Sequence, residues 1–381
     1  TQSAAIRNAR ASAFAQATLG DWQLALDVGQ RQKELDSLTA GVPGYQYEVD
    51  AKNFGLRAKQ QAKLGGLDNA LVLGFDQADW TRTTLGAWGS VAKQASKAVY
   101  IKDDLTLSQG TRLAAGFRSE SIKQSDNSSG VDRTTREQAW ELGLTQPLSA
   151  SWSAYARIGN SYRLANVDEL GFTLPGAVLQ AQTSRDLELG TRWRYASGRV
   201  ELRWYRSALR NELGYDPIIV NPNSYNGVGA NVNFDPTLRQ GLELQTKHTL
   251  SPSVTVQVNA AVRQARFTQG AYSGRVLPLV PHQTVALRAE WRAAPGHTFN
   301  GGVNWVASQS PDFNNACSMP SYTVADLRYS YQWGAAELSL AANNLFDSKY
   351  YTLAYRCTAG VTQAIYPEAG RALSAALRWK F

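Results

Sequence analysis

Methionine is almost missing, with one in 381 residues, cysteine occurs twice and histidine three times. No run of about eighteen apolar residues exists, so no helix of this chain is long and apolar enough to cross a bilayer. Strand-built membrane proteins stay open, because alternating strands vanish in averaged hydropathy. His248, His282 and His297 stand alone, without metal-ligand spacing, and no metal or other cofactor is expected. A Ser-His-Asp set, a CxxC pair, a phosphate loop and paired catalytic carboxylates are also missing, which argues against an enzyme. Basic residues outnumber acidic ones, 39 to 31, for a formal charge of +8. They are spread through the chain and not gathered into a stripe, so nucleic acid is not an expected partner. The chain opens on Thr1 without a charged n-region or an apolar h-region. The expectation is a leader already removed, or an excerpt of a longer protein.

What is present is aromatic residues and alternation. There are eleven Trp and seventeen Tyr, amphipathic rings that suit a membrane interface. In the last strand Leu373, Ala375, Leu377, Trp379 and Phe381 share one face, and Ser374, Ala376, Arg378 and Lys380 the other. The same period of two recurs in Trp22, Leu24, Leu26 and Val28, in Leu242, Leu244 and Thr246, in Val254, Val256 and Val258, and in Leu327, Tyr329, Tyr331 and Trp333. Turns of a few residues, such as 64–68, 108–110, 146–148, 196–198, 251–253 and 294–296, alternate with longer polar stretches at 77–97, 119–133 and 214–236. Trp22, Trp152, Trp193, Trp291, Trp333 and Trp379 all lie beside a short turn or the chain end. Short turns, long loops and an aromatic girdle together predict a transmembrane antiparallel up-and-down β-barrel, all-β, with charged residues facing inward. About seventeen strands are expected, each near the ten residues of a tilted crossing, with short strands near 86–98 able to add a pair. Single-chain bacterial barrels have even strand numbers, so an odd count predicts the C-terminal part of a larger barrel.

Three stretches then carry a resemblance. The first is Asn343-Asn344-Leu345-Phe346-Asp347-Ser348-Lys349-Tyr350-Tyr351, followed by Tyr366-Pro367-Glu368-Ala369-Gly370-Arg371 and the terminal aromatic Phe381. The second is Tyr162-Arg163-Leu164-Ala165-Asn166-Val167-Asp168-Glu169-Leu170, and the third Leu277-Pro278-Leu279-Val280-Pro281-His282. In this order they resemble the TonB-dependent outer-membrane receptors of ferric siderophores and cobalamin. Ala165 departs from the family, which often has Pro there. Nothing in residues 1–67 looks like the family's plug or TonB-engaging segment. The resemblance therefore implies that residues 1–381 are a receptor barrel domain: about 17 strands of a 22-stranded barrel, without the plug and the first strands.

It also implies the function: active uptake of a metal chelate, a ferric siderophore before cobalamin, across the outer membrane of a Gram-negative bacterium. The implied partners are outer-membrane lipid and lipopolysaccharide, the barrel assembly machinery that reads Phe381, the chelate, and the TonB complex through the plug-bearing region. A passive porin-type channel is the rival of another class, and a soluble β-sandwich a third. Chelate contacts are expected from loops, with Tyr215, Tyr225, Tyr272, Phe313, Tyr355 and Arg356 as candidates. The motif residues read first as structure: Asn343, Asn344, Asp168 and Glu169 as groups that satisfy backbone donors or pair with Arg163. Cys317 and Cys357 fall in two outer connections of an exported protein, which predicts a disulfide; two unrelated thiols or metal ligation are the alternatives.

Overall fold

The computed structural model describes residues 2–86, 89–170, 172–222, 224 and 227–380, with the backbone alone for Gln2, Val167 and Asp168. In chain order the strands are β1 (Gln2–Leu19), β2 (Trp22–Thr39), β3 (Val42–Leu64), β4 (Leu67–Thr84), β5 (Ser90–Thr106), β6 (Arg112–Asp126), β7 (Val131–Pro147) and β8 (Trp152–Arg163). A one-turn helix, α1 (Val167–Leu170), precedes β9 (Gln182–Tyr195), β10 (Gly198–Arg210), β11 (Glu212–Val220), β12 (Val228–Phe234), β13 (Thr237–Ser251), β14 (Val254–Phe267) and β15 (Gln283–Ala294). The chain continues through β16 (His297–Val306), β17 (Tyr322–Trp333), β18 (Ala336–Asn343), β19 (Tyr351–Thr358), β20 (Val361–Pro367) and β21 (Ala372–Trp379). Among the described residues seventeen strands are hydrogen-bonded into one sheet, as the sequence count predicts; β11–β12 and β19–β20 are separate two-stranded ribbons.

Contacts divide the chain into two units. The first contains residues 1–145, 157–185 and 210–234. In it β1 to β7 pair antiparallel in succession. Tight turns start these pairs: Gly65 and Gly66 both have positive φ, +60° and +86°, the geometry of a type I′ hairpin that matches strand twist. The second unit contains residues 146–156, 186–209 and 235–381. Here β10 pairs with β13, β13 to β18 pair in succession, and β18 skips the β19–β20 ribbon to pair with β21.

The registers sort side chains by face. Val258 stands opposite Leu287, and Leu287 opposite Val303. Val254 stands opposite Trp291, Trp291 opposite Phe299, and Phe299 opposite Tyr329. On the other face Gln257 pairs with Arg288 and Arg203 with Glu243. The apolar face stays uncovered: Leu142 is 52% exposed, Leu287 41% and Leu327 41%. A water-soluble sheet would bury that face; here it is the surface that lipid covers. The largest fully buried side chains include Ile122 and Gln124 on β6, Thr237 at the start of β13, Phe267 at the end of β14, and Met319 in a connection. At the short-turn end, rings of Trp291 and Phe299 lie 5.4 Å apart and those of Tyr331 and Trp333 5.4 Å apart, and His297 Nδ1 is 2.7 Å from Tyr329 Oη. This is the expected girdle.

Several sequence expectations are corrected. The supposed loops 77–97 and 119–133 are mostly strand: β4 runs to Thr84 and β5 starts at Ser90, and β6 and β7 leave only 127–130 between them. Among the described residues no extra pair forms near 86–98, because β5 is one strand from Ser90. Stretch 214–236 folds largely as the β11–β12 ribbon. Strands β2 to β5 have 17–23 residues, not about ten. The reason is common to all of these. Beyond the membrane both faces of a ribbon are wet, so its polar sequence has no apolar period, while backbone pairing continues unchanged.

Candidate functional site

Two of the three stretches that carry the resemblance turn out to be local staples. Asn166 caps α1: its N–H donates to Glu169 Oε2 at 2.8 Å, and the Glu169 N–H donates to Asn166 Oδ1 at 3.0 Å, a reciprocal capping box. Arg163 clamps the same carboxylate through Nη1 to Oε2 at 2.9 Å and through Nη2 to Oε1. Burial pushes the Glu169 carboxyl up, but the Arg163 guanidinium and the Asn166 N–H outweigh burial and hold it below its ordinary value. Ala165, Leu170, Leu179 and Leu213 pack together beneath the helix. The Asp168 side chain lies outside the described residues.

The second staple joins the start of the last connection to its end. Asn344 Nδ2 donates to Ser348 O at 3.0 Å and to Ala369 O at 3.1 Å, and Ser348 N–H donates to Asn344 Oδ1 at 2.8 Å. Asp347 Oδ1 accepts from the Arg371 N–H at 2.8 Å and Oδ2 from Lys349 Nζ at 2.9 Å. These two donors hold the exposed Asp347 carboxyl below its ordinary value. A Cβ at Gly370 would lie 2.6 Å from Asp347 Oδ1, so a larger residue there would push the carboxylate off the Arg371 N–H. The Leu345 N–H donates to Ala325 O at 2.8 Å, and Asn343 ends β18 opposite Ala372. Phe346 is exposed. Phe381 lies outside the described residues.

Cys317 and Cys357 are joined in a disulfide, which ties connection 307–321 to β19. Asp312 lies beside it, with its carboxylate taken by the N–H groups of Cys317 (2.9 Å) and Ala316 (3.1 Å). A disulfide offers no thiolate, so this trio is a loop brace and not a metal ligand set.

Of the six loop candidates, Tyr355 and Arg356 are exposed on β19, with the Tyr355 ring edge-on to Tyr366 at 5.4 Å. Tyr215 is exposed on β11, its ring 6.3 Å from Phe172. Tyr272 stacks on Phe313 at 5.1 Å, and both rings pack against Phe267. Phe313 is buried beneath this contact, at 6% exposure. Tyr225 lies outside the described residues. Within the second unit the structure pairs Tyr272 with Phe313.

A further grouping in the second unit was not foreseen. A cavity of about 590 Å³ lies against the polar face of β13–β17. Glu243, Asn259, Arg263 and Asn304 line it from the strands, and Tyr350, Thr352 and Glu368 line it from the last connection. Tyr322 and Tyr350 stack at 4.7 Å, Thr352 Oγ1 donates to Glu368, and the Glu368 N–H donates to Tyr350 O at 3.0 Å. Burial, and then the Glu368 carboxylate, push the Tyr350 phenol above its ordinary value, so it remains a neutral donor at physiological pH. Position was the usable signal, since Tyr322 and Thr352 flank strand starts after long connections. Nearby, Arg203 bridges Glu188 (3.3 Å) and Glu243, and Arg288 meets Asp326 at 3.3 Å. These half-exposed pairs contribute little to stability but keep the inward wall polar.

Apolar outward strands, a charged inward face, an aromatic girdle and braced outer connections define an outer-membrane β-barrel. Residues 5–345 match the family described as TonB dependent receptor-like, beta-barrel, and the chain belongs to that family of Gram-negative outer-membrane proteins. It is similar to the ferrioxamine receptor of Yersinia enterocolitica, 25% identical over 300 residues, covering 74% of this chain and 39% of that receptor. The chain thus spans well under half the length of this curated relative. Its fold is similar to the crystal structure of the siderophore receptor PiuA from Acinetobacter baumannii, with TM-score 0.80, 14% identity, and coverage of 99% of this chain and 64% of that one. The copper transporter OprC shares the fold at TM-score 0.79 and 15% identity, covering 99% of this chain and 66% of that one.

Proposed function

We propose that residues 1–381 are the C-terminal barrel portion of an outer-membrane receptor that takes up a metal chelate, a ferric siderophore. The observation that supports this most is the family match over residues 5–345, together with a curated relative that is a ferrioxamine receptor. Fold alone cannot choose the cargo, because siderophore receptors and a copper transporter share it. Sequence similarity favours the siderophore over cobalamin, and the family over a passive porin. Tyr215, Tyr272, Tyr355 and Arg356 would meet the chelate on the outer side, with Tyr225 a further candidate. The polar cavity lined by Tyr350 and Glu368 would then receive it on the inward side.

Transport would draw on the TonB complex through the plug-bearing region of the whole receptor. Lipid, including lipopolysaccharide, would surround the apolar face, and the assembly machinery would read Phe381. Deleting the gene of the intact receptor should abolish growth on one ferric siderophore as sole iron source. Unchanged growth on a full siderophore panel, with loss of cobalamin-dependent growth, would overturn the cargo. Passage of small sugars through the receptor in liposomes would overturn active uptake in favour of a pore.

A further inference from the structure

We infer that the outward face of β5–β7 holds a phosphate-bearing lipid headgroup through Lys93, Lys97, Lys123 and Arg136. The registers place Lys97 opposite Ser121 and Ser121 opposite Arg136, so these three share one row and one face. One row farther from the short turns stand Ala95, Lys123 and Thr134, and the next holds Lys93, Ser125 and Asp132. On the other side of Lys97 the same face becomes apolar, with Ile101 opposite Phe117 and Phe117 opposite Trp140. With strands about 4.8 Å apart and alternate residues about 6.7 Å apart along a strand, Lys97, Lys123 and Arg136 fit a patch about 10 Å across. That is a cluster of cations at the outer rim of a lipid-facing band.

Two features separate this cluster from ordinary surface charge. All four side chains are exposed, and among the described residues none of them makes an ion pair or a side-chain hydrogen bond. The acids at its margin are Asp132 and Asp79, and Asp79 already accepts from Gln77 Nε2 at 2.8 Å. On β1–β3 the corresponding face is internally partnered: Arg7 pairs with Glu34 at 3.1 Å and Asp36 at 3.4 Å, and Asp50 accepts from Gln30 at 3.0 Å. Uncompensated cations repel one another, and an anion seated among them removes that repulsion. Ser119 and Ser121, on the same face of β6, supply further hydroxyl donors to phosphate oxygens. The anion at this depth is the phosphate of an outer-leaflet glycolipid, its acyl chains lying on Ile101, Phe117 and Trp140.

This deepens the lipid contact of the proposed function and rests on the apolar face meeting the membrane. The test uses the whole receptor, purified from outer membranes in detergent, with bound lipopolysaccharide measured by phosphate and fatty-acid content and by titration. Each single change among Lys97→Gln, Lys123→Gln and Arg136→Gln should weaken lipopolysaccharide binding about fivefold, and the combined four-site variant should lose it. Dephosphorylated lipopolysaccharide should bind the unaltered receptor as weakly as the four-site variant binds the native lipid. Inorganic phosphate should not compete at millimolar concentration; if it does, the site takes free phosphate and the lipid assignment is overturned. Undiminished binding by folded single variants, scored by heat-modifiable mobility, also overturns it, even where the four-site variant fails to assemble. Leu142→Arg separates the two levels. Normal assembly of that variant removes the membrane reading itself, whereas blocked assembly with intact lipid binding by the cation variants removes only the headgroup site.

Discussion

Strands β2 to β5 have 18, 23, 18 and 17 residues, whereas β15 to β18 have 12, 10, 12 and 8. A tilted crossing needs about nine to eleven. The first region carries its extra length as sheet, closing its outer ends with turns as short as Ala40-Gly41. The second stops its strands early and carries its extra length as connections, braced by a disulfide, buried aromatics and the Asn344 staple. Both solve one problem, the satisfaction of backbone groups outside the membrane. The ribbon solution makes a tall wall. The connection solution makes a concave surface, and the cavity lined by Tyr350 belongs to it.

The comparison assumes that both regions share a lipid-facing band, and that is where the largest effect is expected. Leu287→Arg should cost about 2–4 kcal/mol or block assembly, and Leu142→Arg the same in the tall region. Gln245→Arg, on the inward face opposite Glu201, should be tolerated. Equal tolerance of all three in a folding assay would dissolve the assignment of faces.

Breaking the disulfide should touch only the second region. Cys317→Ser should cost about 2–3 kcal/mol, with faster amide exchange in 307–321 and 351–367 and unchanged exchange in β1–β6. Protection lost in both regions would show that they do not behave as separate units.

A smaller effect tests the capping box. Asn166→Ala should destabilise connection 164–181 by about 1 kcal/mol, read as faster local exchange. Because the Glu169 carboxyl is held below its ordinary value, its contribution is complete above the unfolded value of about 4.3 and is lost as pH falls through the lower folded value. Exchange in this connection should therefore rise on acidification below that range in the unaltered protein. In Glu169→Gln this step should be missing.

The smallest prediction concerns the tall region alone. Ala40 has φ of +53° in its turn. Ala40→Gly should stabilise that hairpin by about 0.5 kcal/mol, the strain of a left-handed alanine less the added entropy of glycine. A lower melting temperature in this variant would contradict the turn geometry.

Periodicity was legible wherever one face is apolar. The alternation of Val254, Val256 and Val258, or of Leu373, Leu377 and Trp379, identifies strands and their outward face from residues alone, because lipid and water impose opposite chemistry on alternate positions. The girdle tryptophans and the pairing of Cys317 with Cys357 followed from position in that rhythm. What the rhythm could not reach was the wet part of the molecule. Stretches 77–97 and 119–133 read as loops because a ribbon in water has no apolar period. Likewise, the burial of Phe313 against Tyr272 depends on packing between distant segments. Asn344 reaching Ala369 and Glu368 reaching Thr352 are contacts that the antiparallel return of the chain creates. Strand identity and face were thus set by short-range alternation. Strand height, loop bracing and the shape of the cavity were decided by tertiary structure, since they depend on which far-apart polar groups find each other once the sheet has formed.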